Sequence, residues 1–209
     1  RQTARKRSRS ASLMADILVL YYSRKGATEA LAREVCNGVD AVPGMSSRLR
    51  TVPRISAVAE AKASVPESGP PYATPSDLVD CAGVVMGSPT NFGNMSASLK
   101  HFLDGTVSEW FKGSAVGKPA GVFASTSSLH GGQETTLITM ALPLLHHGML
   151  IVGLPYTETE LATTTTGGTP YGATHVSWNR NPDPLSDDEK KLARALGRRV
   201  AEVASRLAD

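Results

Sequence analysis

Three short segments rich in hydroxyls, amides and glycine hold most of the chemistry in this chain. The first is Ser23-Arg24-Lys25-Gly26-Ala27-Thr28, set between an apolar run and a helical stripe. Hydroxyls at both ends and a central glycine let such a loop wrap a phosphate, with donors pointing inward at a helix N-terminus. It has neither the Gly-Lys-Ser/Thr of a triphosphate loop nor the spaced glycines of a dinucleotide fingerprint, so a monophosphate is the better match. The second segment, Gly87 to Ser96, includes Pro89-Thr90-Asn91-Phe92-Gly93 and supplies backbone N–H groups, hydroxyls, an amide and one ring. That inventory suits a flat heterocycle with polar edges, although an ordinary strand–loop–helix connection has the same look. The third is Ser125-Thr126-Ser127-Ser128-Leu129-His130, followed by Gly131-Gly132. A phosphate loop beside two loops able to line a ring is what flavin mononucleotide (FMN) requires. No cluster of Cys, His or carboxylates has metal-ligand spacing, so no metal is expected, and no Gly-x-Ser-x-Gly elbow is present.

The elements that must position these loops are legible as apolar runs alternating with helical stripes, the pattern of a parallel sheet covered on both faces. Strands are expected at Ile17–Tyr22, Ser47–Val52 (an edge), Gly83–Gly87, Ala120–Ser125 and Met149–Leu154. Helices are expected at Thr28–Val39, Ser96–Leu103 and Gln133–His146. A last helix opens on the capping box Ser186-Asp187-Asp188-Glu189, with Leu192, Leu196, Val200, Val203 and Leu207 as its apolar stripe. Residues 55–80 read as a long surface loop. Five strands with interleaved helices predict an α/β three-layer sandwich of strand order 2-1-3-4-5, whose three loops meet at the switch point of the sheet. The Gly/Thr/Pro-rich stretch from Pro155 to Pro184 is too long for a simple connection and is expected to order mainly by packing on another chain.

Composition sets further bounds. The 209 residues fit one α/β domain with a substantial core. The net charge of +3 hides an asymmetry, because residues 1–13 contribute +5 and leave −2 on residues 14–209. The basic arm 1–13 is disordered by composition and could adhere to nucleic acid, but the body has no basic stripe to support that partner. Met14-Ala15-Asp16 reads as a natural start, which makes the arm a mis-assigned start or an added tail. No apolar run is long enough to span a bilayer, no signal-peptide core follows the basic residues, and Cys36 and Cys81 sit in apolar contexts as thiols. A cytoplasmic protein without membrane insertion is expected.

At this point the residues resemble a family, the WrbA-type NAD(P)H:quinone oxidoreductases of the flavodoxin-like superfamily. The matching pieces are Leu18 to Ser23, Gly87 to Asp104, Gly131 to Glu134, His146-His147-Gly148-Met149 and Gly167 to Ala173, within a similarity running from Ala15 to the C-terminus. The resemblance implies a flavodoxin-like fold, bound FMN, NADH or NADPH and quinones as substrates, two-electron ping-pong hydride transfer, and a homotetramer. It places the phosphate at Ser23 to Thr28. Thr90, Asn91 and Phe92 would lie against the isoalloxazine edge and ribityl chain, and Ser125 to His130 along the other polar edge. His146 would reach the flavin from a neighbouring subunit, and Trp110 would form the wall where nicotinamide or quinone stacks. No side chain is needed as an acid or base. Asn91 stands where the family often has arginine, and Lys25 where some relatives have tyrosine. These departures bear on redox potential and on the choice of nicotinamide. Composition alone would make Trp110 a core aromatic and one of the two histidines a helix cap. Two other readings stand beside this one: a one-electron carrier, which the weakly charged body disfavours, and a scaffold without turnover.

Overall fold

The computed structural model describes residues 15–56, 66–178 and 184–208. The basic arm, and with it the expectation of disorder there, lies outside the described residues. The elements run β1 (Ala15–Tyr21), α1 (Ala27–Asp40), β2 (Met45–Thr51), α2 (Pro75–Asp80), β3 (Gly83–Pro89), α3 (Ala97–Asp104), α4 (Val107–Phe111), β4 (Pro119–Thr126), α5 (Gln133–His146), β5 (Leu150–Ile151), α6 (Glu160–Thr163), β6 (Ala173–Val176) and α7 (Asp187–Leu207). All pairings are parallel and the order is β2-β1-β3-β4-β5, as the alternation predicts.

Alternate residues of the central strands feed two cores. Ile17, Val19, Val85 and Phe123 pack under α1 and α7, while Leu18, Leu20, Met86 and Val122 pack under α3 and α5. Each fully buried Leu, Ile or Val of this kind stabilises the fold by about 1.5–3 kcal/mol. The α1 stripe Leu31, Val35 and Val39 is buried as its spacing requires. The backbones of α1 and α7 approach closely, because Gly38 faces the Arg194 carbonyl and Gly197 faces the Val35 carbonyl. A Cβ at either position would overlap that carbonyl. The capping box forms as expected, with Glu189 N–H donating to Ser186 Oγ and Ser186 N–H to Glu189 Oε2. The α7 stripe is buried through Val200 and is exposed again by Leu207.

Two expectations change, and a third stretch gains detail. Residues 55–80 contain a helix, α2, capped by Thr74 and tied to β2 through Asp77, which accepts from Arg48 and Arg50. Strand five shrinks to Leu150–Ile151, because its only ladder partners are Pro119 and Ala120. Beyond it the chain loops out and returns as β6, which pairs with the C-terminal half of β4: Phe123 faces Ala173 and Ser125 faces His175. The two short strands thus occupy successive stretches of one edge. The third point concerns the Gly/Thr-rich stretch, whose backbone finds hydrogen-bond partners within its own chain. Gly167 N–H donates to Glu189 Oε1 (2.9 Å), Gly168 N–H to Thr174 Oγ1 (2.7 Å), and Thr174 Oγ1 to Gln133 Oε1 (2.5 Å). Its small residues leave backbone polar groups exposed to capture, and buried side chains of α5 and α7 satisfy them.

Candidate active site

The loops after β1, β3 and β4 meet in a cleft of about 520 Å³ at the carboxyl edge of the sheet. Its lining includes Ser23 to Thr28 in full, then Pro89, Thr90 and Asn91, then Ser125, Thr126 and Ser127. Strand order brings these segments together, since β1, β3 and β4 are adjacent and end at the same edge.

The first loop is shaped by its glycine. Gly26 has φ +93°, which directs the chain into α1, and its N–H donates to Ser23 Oγ (3.0 Å). The opening N–H groups of α1 have no intrahelical acceptor and face the cleft end, with Arg24 and Lys25 exposed on the rim. Thr28 is buried, and its Oγ1 lies 2.8 Å from Ser125 Oγ. The other two loops are fastened to each other: Thr90 N–H donates to the Ser125 carbonyl (2.8 Å) and Thr136 Oγ1 to Thr90 Oγ1 (3.1 Å). The donor set fits FMN. A cationic loop at a helix start matches one phosphate, hydroxyls and an amide match a ribityl chain and ring edge, and the volume lies in the range of ligand pockets.

The remaining expected residues are placed differently in the single chain. Phe92 and Gly93 form the tip of a tight hairpin closed by paired bonds between Asn91 and Asn94. With φ +53° at Phe92, the ring projects wholly into solvent, outside the cleft lining. Ser128, Leu129 and His130 also stand outside it. Their loop curls onto itself, with Thr126 Oγ1 donating to the Ser128 carbonyl and Gln133 Nε2 to the Leu129 carbonyl. Trp110 and His146 lie together, as the indole N–H donates to the His146 carbonyl (2.7 Å), but they line a second cavity of about 510 Å³ between α3, α4 and the end of α5. There His146 is exposed. His147 is buried against Thr106, 3.1 Å from Nε2 to Oγ1, and burial lowers its pKa. His147 is therefore the structural member of the pair.

Sequence reasoning missed Ala30, Ser177, Pro184 and Leu185, which complete the cleft wall. The signal for Ser177 was faint: it follows directly on the short mixed run Ala173-Thr174-His175-Val176 at the end of a glycine-rich stretch. Leu185 could have been found as the apolar residue directly before the capping box. Among the described residues no group of three or more His, Cys, Asp or Glu side chains could hold a metal ion, and no helix is long and apolar enough to cross a membrane.

Fold and cleft together define a flavodoxin-like protein, an open parallel sheet with its ligand cleft at the switch point. Residues 16–161 match the family described as NADPH-dependent FMN reductase, and the chain belongs to that family. Over 201 residues it is 43% identical to an NAD(P)H dehydrogenase (quinone) of Solidesulfovibrio magneticus, a match covering 92% of this chain and 98% of that protein. Among solved structures it is similar to a WrbA-like flavodoxin of Agrobacterium tumefaciens, with a TM-score of 0.67 and 24% identity over 92% of this chain and 98% of that one. A flavodoxin from the domain Archaea gives a TM-score of 0.60 at 17% identity, covering 91% and 99%. These two likenesses concern the fold.

Proposed function

We propose that this protein is an FMN-dependent NAD(P)H:quinone oxidoreductase of the WrbA type, reducing quinones to hydroquinones by two electrons. The observation that carries the reading is the convergence of Ser23–Thr28, Thr90–Asn91 and Ser125–Ser127 on one cleft, in a chain closely related to a quinone dehydrogenase. FMN, when bound, supplies the hydride chemistry, taking two electrons from a nicotinamide and giving them to a quinone in alternate half-reactions.

The chain's own residues bind and orient. Ser23, Thr28 and the N–H groups at the start of α1 hold the phosphate, with Arg24 and Lys25 adding positive charge. Pro89, Thr90 and Asn91 shape one side of the ring site, and Ser125, Thr126 and Ser127 the other. Phe92, Gly93, Ser128, Leu129 and His130 form the outer rim of this reading. They meet the ring or a substrate when a neighbouring subunit closes over them. Trp110 and His146 are assigned to a neighbour's flavin, the indole as a stacking wall and the imidazole as a polar contact. Exposed apolar side chains around them support a homotetramer: Phe111, Leu142, Leu145, Leu150 and Ile151 are each more than a third exposed. The weakly charged body disfavours a one-electron carrier that docks by charge. The free thiols Cys36 and Cys81 suit a reducing cytoplasm.

The test is steady-state oxidation of NADH and NADPH by the FMN-loaded protein with benzoquinone as acceptor. Turnover with parallel double-reciprocal lines supports the reading. Tight FMN binding without nicotinamide oxidation would leave a carrier or a scaffold.

A further inference from the structure

The first turns of α5 carry a polar stripe, Gln133, Thr136 and Thr139, and each member fastens a loop at the edge of the sheet. Gln133 Nε2 donates to the Leu129 carbonyl in the loop after β4 (2.7 Å). Thr136 Oγ1 donates to Thr90 Oγ1 (3.1 Å) and Thr139 Oγ1 to the Gly93 carbonyl (3.1 Å), both in the loop after β3. Helical spacing of three residues keeps the side chains on one side of α5. The helix start is seated closely there, since a Cβ on Gly132 would lie 3.3 Å from the Gly93 Cα.

The bond from Thr136 fixes a polarity as well as a position. A hydroxyl has one hydrogen to donate and two lone pairs to accept with. Thr136 is fully buried, so its hydroxyl has no water to turn to, and its hydrogen goes to Thr90 Oγ1. Thr90 is therefore the acceptor of the pair. The Thr90 N–H is engaged separately by the Ser125 carbonyl (2.8 Å). Among the described residues, no acceptor takes the hydrogen of the Thr90 hydroxyl, and Thr90 lines the cleft. The Thr28–Ser125 pair is different, because either of its hydroxyls can be the donor.

We infer that Thr136 is a positioning residue for the flavin site: by donating to Thr90 Oγ1 it commits the Thr90 hydroxyl to donate into the cleft, to an acceptor atom of the bound FMN. The inference rests on the FMN reading above. Thr136 lies outside the cleft lining, so it acts through Thr90. Without its hydroxyl, Thr90 Oγ1 loses the partner that holds its polarity and must be ordered by the ligand itself. A donor fixed in advance binds more tightly than one ordered on binding.

The experiment is a double-mutant cycle on FMN affinity, read by quenching of flavin fluorescence in titrations of the full-chain apoprotein. Thr136→Val removes the hydroxyl at nearly constant volume, which keeps the buried packing of α5. FMN should then bind about tenfold less tightly, the scale of one hydrogen bond. In a Thr90→Val background the same change should leave the Kd where Thr90→Val alone puts it, because the group on which Thr136 acts is gone. Thr136→Ser keeps the hydroxyl and should bind FMN as the wild type does, a rescue that a packing role for the Thr136 methyl would not give. No loss from Thr136→Val, an equal loss in both backgrounds, or a Thr136→Ser variant as weak as Thr136→Val would each overturn the inference and leave the FMN reading standing. Failure of the wild type to bind FMN would overturn both.

Discussion

Thr28 Oγ1 and Ser125 Oγ lie 2.8 Å apart in the floor of the cleft, joining residues 97 positions apart in the chain. This contact locks the loop after β1 to the end of β4, so the spacing of the two loops is set by a buried bond. Thr28→Val removes the hydroxyl at constant volume and leaves Ser125 without that partner. FMN binding should weaken by about 1–3 kcal/mol, the usual cost of orphaning a buried or charge-bearing hydrogen-bond partner. Quenching of flavin fluorescence in a titration measures it, and unchanged affinity would move the phosphate elsewhere.

Gly26 tests the backbone of the same loop. Its φ is +93°, and an added Cβ would meet nothing within 4 Å, so Gly26→Ala introduces conformational strain without a clash. Stability should fall by about 1–2 kcal/mol. Flavin affinity should fall with it if the strained loop is, as proposed, the phosphate cradle. Thermal melts with and without FMN would separate the two effects.

The proposed site takes a flavin with one phosphate. The purified, flavin-loaded protein should be yellow and should release FMN on denaturation, as read by chromatography of the supernatant. Recovery of FAD would contradict the single-phosphate reading of Ser23 to Thr28.

Asp77 links α2 to the sheet edge, away from the cleft. Burial pushes its pKa up, but bonds from Thr74 N–H (2.8 Å) and Thr74 Oγ1 (2.9 Å), with Arg50 and Arg48 beside it, bring it below the ordinary aspartate value. A depressed folded-state pKa means that the stabilisation is present above the unfolded aspartate value and is lost as pH falls through the folded one. Asp77→Asn should therefore cost about 1–3 kcal/mol near neutral pH and make stability less sensitive to acid. Urea unfolding at a series of pH values would show the two curves converging at low pH.

Assembly gives the last prediction. Trp110 and His146 line a separate cavity in the single chain, so on their proposed roles a complete flavin site needs a neighbour. Light scattering on diluted apoprotein should report a falling mass that FMN restores. A fully active monomer at nanomolar concentration would remove the proposed roles of both residues.

The sequence by itself determined the order of the sheet and the three loops at its edge. Those features are written in local patterns: apolar runs at β1, β3 and β4, a helical stripe at Leu31, Val35 and Val39, and a capping box at Ser186. Each is decided by neighbours within about ten residues, where periodicity and capping chemistry act. Only the tertiary structure decided the rest of the site. β6 is four residues long, too short to show a period, and it exists because the open edge of β4 beside Phe123 to Thr126 has N–H and carbonyl groups to satisfy. The glycine-rich stretch found its acceptors on Glu189 and Gln133, residues whose own sequence context shows only a helix start. The fate of His146 and His147 was likewise beyond local reading. They are adjacent in sequence, yet one turns to solvent and the other against Thr106, because the end of α5 buries only one of two consecutive side chains.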